Sequence, residues 1–249
     1  TEGNFNVAIG TETLKSNTCG NSNIGIGLEA LRTNSTGGEN VGIGVNALYY
    51  NSTGDCNTGV GYVALNRNTT GIKNTSLGAC SLYSNTVGSN NVAVGYHSLL
   101  QATTATQNIG VGQGTLYSNS HGDANVAIGM QALYSNKCSY NVAVGDLALN
   151  AQTTGYYNTA IGALAGRCNL TGTVNTAVGM YALHKNTTAS RNTAVGYAAL
   201  ICNQTGGDNT AVGTSALYKN TADLSTAVGG CALICQTTGG CNTAMGYHA

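Results

Sequence analysis

The sequence predicts an all-β fold, a β-solenoid or β-roll of about fifteen coils, and three observations carry that prediction. Glycines recur at a fixed step: Gly10, Gly27, Gly44, Gly61, Gly78, Gly95, Gly112 and Gly129 stand 17 residues apart, and the series continues to Gly246 with only two steps of 16. Each of these glycines closes a run such as Asn175-Thr176-Ala177-Val178-Gly179, whose β-branched residues suit a short strand. An Asn-x-Thr-Gly stretch then follows in many repeats, a turn in which glycine is free to take positive φ. A short period held from end to end means one small unit stacked many times.

Counted from its Asn, the unit is N-T/V-A-V/I-G-x-x-A-L-x-x-N-x-T-G-x-x. Fourteen full units occupy residues 6–241, with partial units at 1–5 and 242–249, so that residues 1–249 form one continuous array. Position 1 is Asn (Asn23, Asn40, Asn57) in every unit but the one at Ser225, and a second Asn recurs at position 12. In stacked coils these amides are expected to bond one another along a ladder. Position 9 is Leu (Leu31, Leu48, Leu65) except at Gly166, and position 4 is always apolar; both are expected to fill the core. Positions 3 and 8 are small, which would let two sheets approach closely. The Ala-Leu-Tyr-Ser-Asn segment is expected to form a second strand. The structural ladder is thus assigned to Asn23, Asn40, Asn57, Gly27, Gly44, Gly61, Leu31, Leu48 and Leu65. In-register stacking at about 4.8 Å per coil would give a rod of about 70 Å.

Two units are one residue short, 125–140 and 209–224, and both lose it from the Thr-Gly turn. A deletion confined to a turn leaves the strand register of the next coil intact. The chain starts at Thr1-Glu2-Gly3, part of a turn, and stops at Ala249, position 8 of a unit; the expectation is that such ends join neighbours in a longer fibre or filament.

Composition narrows the function classes. Only 7% of residues are charged and the formal net charge is zero, which leaves no electrostatic footprint for nucleic acid. No apolar run is long enough to span a bilayer, so no membrane insertion is expected.

The phrases Asn192-Thr-Ala-Val-Gly-Tyr-Ala-Ala-Leu200 and Val7-Ala8-Ile9-Gly10 resemble repeats of phage and bacterial tail-fibre-like proteins and of trimeric autotransporter adhesin heads. The resemblance covers almost the whole chain. It implies a homotrimer of β-rolls with one face of each on the threefold axis, and a shaft or adhesive head on a cell or virion surface. Adhesin heads repeat at a shorter period and rarely carry so many cysteines. Position 2 (Val7, Ile24, Val41, later Thr176, Thr193) suits a buried or half-buried shared face. Its change from Val/Ile to Thr signals a more polar core along the array, or neutral drift.

The chemistry-bearing residues are scattered. Nine cysteines form no C-x-x-C pair; they read as small fill, as disulfides (Cys231, Cys235 and Cys241 share a coil) or as a metal site. His97, His121, His184 and His248 occupy separate units, and only Glu12 and Glu29 among the acids fall in register on adjacent coils. No catalytic, cofactor-binding or metal-binding residue is assigned, and no enzyme is expected. Gly110-Val111-Gly112-Gln113-Gly114 is one copy of the repeat, not a nucleotide loop. Tyr49, Tyr83, Tyr117, Tyr134 and Tyr218 share position 10 and Tyr62, Tyr96, Tyr197 and Tyr247 share position 6, broken stripes on an outer face suited to a cell-surface glycan or to packing between coils. Seven sequons, six of them at position 12 (Asn34, Asn51, Asn68, Asn169, Asn186 and Asn203) and one at Asn74, would decorate one edge with sugars.

The sequence therefore predicts an extracellular or virion-surface, non-enzymatic fibre segment with itself as partner. The alternative is a binding head for glycan or ice, the latter through the Thr row Thr159, Thr176, Thr193, Thr210, Thr226 and Thr243.

Overall fold

The structure, a computed structural model, describes residues 3–249. Thr1 and Glu2, placed above in a partial unit, lie outside the described residues. The chain is an all-β parallel β-solenoid of 17-residue coils, and no helix occurs among the described residues. It divides into two compact units, the first ending at Ala124 and the second beginning at Asn125. In the first unit the strands are Val7–Ile9, Ile24–Ile26, Val41–Ile43, Thr58–Val60, Thr75–Leu77, Val92–Val94 and Ile109–Val111. In the second they are Val126–Ile128, Val142–Val144, Thr159–Ile161, Thr176–Val178, Thr193–Val195, Thr210–Val212, Thr226–Val228 and Thr243–Met245.

Within each unit every strand pairs in parallel with the next, like position on like position, as in Val41↔Thr58 and Thr176↔Thr193. The short coils do not disturb this: Val126 pairs with Val142 and Thr210 with Thr226.

Each coil has one strand, not two. Where a second was expected, the chain from Leu28 to Tyr49 shows why it cannot form. Ala30 and Leu31 are adjacent and both fully buried, whereas a strand sends neighbours to opposite faces. The backbone turns instead, with Glu29 and Leu31 at φ of 57° and 51°, the left-handed region. Pairing between coils continues through these turns: Glu29 N–H donates to Thr11 O (2.9 Å), Leu31 N–H to Ala47 O (3.0 Å) and Thr33 N–H to Tyr49 O (3.1 Å).

The same alternation corrects position 4. Position 3 faces inward, as at Ala93, Ala127 and Ala194, so positions 2 and 4 both face out. Ile9, Leu77, Ile128 and Ile161 are exposed rather than core. The core is a column of small residues at positions 3 and 8 and Leu at position 9, with Leu31, Leu48 and Leu65 fully buried as expected.

The rest of the interior is amide. Asn23, Asn40 and Asn57 are wholly buried. Asn40 Nδ2 donates to Gly54 O of its own coil (2.8 Å) and to Asn23 Oδ1 of the preceding one (3.1 Å), while Asn23 Oδ1 also accepts from Asn40 N–H (3.0 Å). Position 12 runs a second ladder. Asn51 donates to Asn34 (2.8 Å), Asn68 to Asn51 (2.7 Å) and Asn85 to Asn68 (2.7 Å), and each also donates to the Gly carbonyl three residues on. One Gly carbonyl thus receives both Asn side chains of its coil, Gly54 O from Asn40 and Asn51. Buried polar groups need such partners, and the stacking supplies them in most coils; Asn85 Oδ1 and Asn186 Oδ1 are buried position-12 acceptors left without one.

Glycine has a different job from the one expected. Positive φ belongs to the glycine after the strand, 129°, 130° and 137° at Gly27, Gly44 and Gly61, where a Cβ on Gly27 would also lie 2.6 Å from Gly44 O. The glycine of the Thr-Gly turn, such as Gly37, has no positive φ; its Cβ would lie 2.5 Å from Gly54 O of the next coil, so close approach selects it.

The sequon expectation is overturned as well. Asn34, Asn51, Asn68, Asn74, Asn169, Asn186 and Asn203 are at most 1% exposed and belong to the internal ladders, so no oligosaccharide can be attached to them in the folded chain.

Candidate functional site

Two outer surfaces present ordered rows or clusters of large side chains. The first is the strand face. Because positions 2 and 4 point out together, the first unit presents rows such as Ile24 with Ile26, Val41 with Ile43 and Val92 with Val94, and the second Val142 with Val144, then Thr176 with Val178. These side chains are half-buried to exposed, with Ile9 at 59% and Ile161 at 42%. The Thr row is straight and in register, but its companion row at position 4 is Val, Ile or Met.

The second surface holds the tyrosines. Tyr49, Tyr83, Tyr117, Tyr134 and Tyr218 are all half-buried on the turn segment, and they form local clusters rather than a stripe. His97 stacks on Tyr96 (3.7 Å between centroids) and meets Tyr117 edge-on (6.0 Å). Tyr181 contacts Tyr197 and His184. Tyr140 and Tyr157, at position 17, stack at 5.2 Å away from both predicted positions.

A cleft of about 700 Å³ lies on the first unit, lined by residues including Glu29, Asn46, Tyr49, Tyr50, Asn66, Arg67 and Tyr83. Tyr49 and Tyr50 meet edge-to-face at 4.5 Å, and Arg32 Nη1 donates to the Tyr49 hydroxyl (2.6 Å). Arg67 lies over the Tyr83 ring, 5.0 Å from its centroid. Of the expected binding face only Tyr49 and Tyr83 line this cleft. Tyr50 and Arg67, both at position 11, were not singled out from the sequence; the Tyr-Tyr pair 49–50, unique among positions 10 and 11, was the available signal.

The in-register acids Glu12 and Glu29 are joined by Arg32, whose Nε lies 2.6 Å from Glu12 and 3.5 Å from Glu29. The Glu12 carboxyl is held below its ordinary range by hydrogen bonds from Lys15 and then Arg32. Arg191 grips Asp208 through Nε (2.6 Å) and Nη2 (2.7 Å), and the Asp208 carboxyl is lowered by that bond.

All nine cysteines are free thiols on half-buried or exposed positions, so none of them fills the core. The hydrogen bond to Glu39 (3.3 Å), then burial, pushes the Cys56 thiol up, and burial does the same at Cys80. No group of three metal-ligating side chains occurs among the described residues.

Compared with known proteins, the chain matches no family model, no curated protein and no solved structure. Its own geometry shows a repeat β-solenoid of 17-residue coils.

Proposed function

We propose that the chain is a non-enzymatic structural segment of an extracellular or virion-surface fibre, a stiff spacer of the tail-fibre or adhesin-head kind whose copies associate as homotrimers. The observation that carries this reading is the strand face. Both outward rows are apolar through most of the first unit, and one remains apolar through the second. Contiguous apolar surface of this kind marks an association site, and a repeating face is matched most simply by the same face of another copy. The interior supports the mechanical role: backbone ladders between coils and amide ladders inside them leave little free to move within a unit.

Prolonged digestion with a broad-specificity protease, followed by electron micrographs of the product, tests the spacer role. Straight particles with coils uncut are expected; cleavage at many turns into short fragments would overturn it.

A binding-head reading is favoured by one observation, the aromatic cleft at Tyr49 and Tyr83. For ice, only a single Thr row stands on the strand face, and a thermal-hysteresis assay decides that case.

A further inference from the structure

We propose that the cleft between Tyr49 and Tyr83 is a binding site for an acidic saccharide, with Tyr50 as the stacking platform and Arg67 as the carboxylate receptor. This stands apart from the shaft role and concerns the first unit alone.

Three features of the cleft point to this ligand. The first is charge. Lys15, Arg32, Glu12 and Glu29 form a network with two cations and two anions, linked at 2.6, 2.6 and 3.5 Å, and so satisfy one another. Arg67 has no carboxylate within ion-pair distance among the described residues, and the ring of Tyr83 beneath it fixes the guanidinium without using its in-plane donors. A guanidinium held this way, donors outward, matches a carboxylate with two parallel hydrogen bonds.

The second is an aromatic plate. Tyr50 is 51% exposed, while Tyr49, anchored by Arg32 and set edge-on against it, holds its orientation. A flat ring with an exposed face and few internal rotations suits the apolar face of a pyranose.

The third is an unmet acceptor. Asn46 Oδ1 lies buried in the cleft wall and receives no hydrogen bond from the protein, while the neighbouring Asn66 Nδ2 is committed to Asn46 O (2.8 Å). A buried acceptor without a donor costs free energy, which a ligand hydroxyl recovers only when the Asn46 side chain turns its Oδ1 into the cleft. A volume of about 700 Å³ accommodates two to three sugar rings. Carboxylate, ring face and hydroxyl donors together describe an acidic sugar, either a uronic acid or a sialic acid.

Titration calorimetry with trigalacturonic acid and with sialyllactose, each beside its neutral counterpart (galactotriose and lactose), tests the assignment. The intact chain is expected to bind one acidic probe saturably and at least about tenfold more tightly than the neutral one. Arg67→Gln is expected to remove that preference, and Tyr50→Ala to weaken acidic and neutral probes alike, with melting temperatures unchanged because both side chains are on the outside. Which acidic probe binds separates uronic from sialic acid. The proposal is overturned if neither acidic probe saturates below about 10 mM, if acidic and neutral probes bind equally, or if Arg67→Gln binds as the parent does.

Discussion

Gln152 Nε2 donates a hydrogen bond back across one coil to Asn136 Oδ1 at 3.2 Å, and the same contact recurs between Gln236 and Asn220 at 3.1 Å. Asn136 and Asn220 belong to the two coils that lack a turn residue, and Gln occupies position 12 only in the coils that follow them. One missing backbone residue is thus met by one extra methylene on the next amide. Gln152 then rejoins the normal ladder, accepting at Oε1 from Asn169 (3.0 Å) and from Asn158 (3.0 Å).

Shortening this side chain therefore has a defined cost. Gln152→Asn is expected to lose about 1–3 kcal/mol, because Asn136 Oδ1 and two donors above it are left buried with poorer partners. Inserting one glycine after Cys138 together with Gln152→Asn is expected to recover most of that loss. Chemical denaturation of the two single variants and the double variant measures the coupling; additive losses would contradict the length match.

A gap in the ladder predicts the opposite sign. Asn85 Oδ1 is buried without a donor because the next coil carries Ala102 in place of Asn. Ala102→Asn is expected to stabilise the fold by about 1 kcal/mol, donating to Asn85 Oδ1 as Asn85 does to Asn68. A rise in denaturation midpoint without a change in slope is the expected signature.

Secretion from a eukaryotic host checks the buried sequons. The folded product is expected to carry no N-glycan at Asn34, Asn51, Asn68, Asn74, Asn169, Asn186 or Asn203, all internal. Intact-mass spectrometry before and after glycosidase reads this directly, and a compact, protease-resistant glycoform would contradict the inward placement of Asn.

Stability should depend little on pH, since the interior is held by neutral amides. The carboxyls of Glu12 and Asp208 are lowered in the folded chain by Lys15 with Arg32, and by Arg191. Their contribution is present above the unfolded carboxylate range and is lost as pH falls through their folded values. Both are exposed ion pairs, so the loss is small. The melting temperature is expected to be flat from about pH 5 to 8 and to fall slightly below about pH 4, and Asp208→Asn to make that fall shallower.

Much of the fold was legible in the repeat. The strand at positions 2–4, its parallel register across the short coils and the stacking of Asn23, Asn40 and Asn57 followed from period and residue type. The second strand and the inward position 4 were wrong for one reason. Ala30-Leu31 places two apolar neighbours side by side, a pattern no strand can bury on one face, and the small residue at position 3 already claimed the inward side of the strand. Assigning the turn glycine a positive φ failed because its carbonyl collects the two Asn side chains, leaving crowding rather than handedness to select glycine. The cleft was legible only in part, through Tyr49 and Tyr83 of the position-10 row. It depends on Tyr50 and Arg67, two departures at position 11 brought together by stacking.

The native mass of the reduced chain by light scattering, over a range of concentrations, tests the lateral association of strand faces most directly. Three times the 25.1 kDa chain mass is expected, falling towards one chain when Val41 and Ile43 are both replaced by Lys. A clean monomer at every concentration, unchanged by those replacements, would contradict the account.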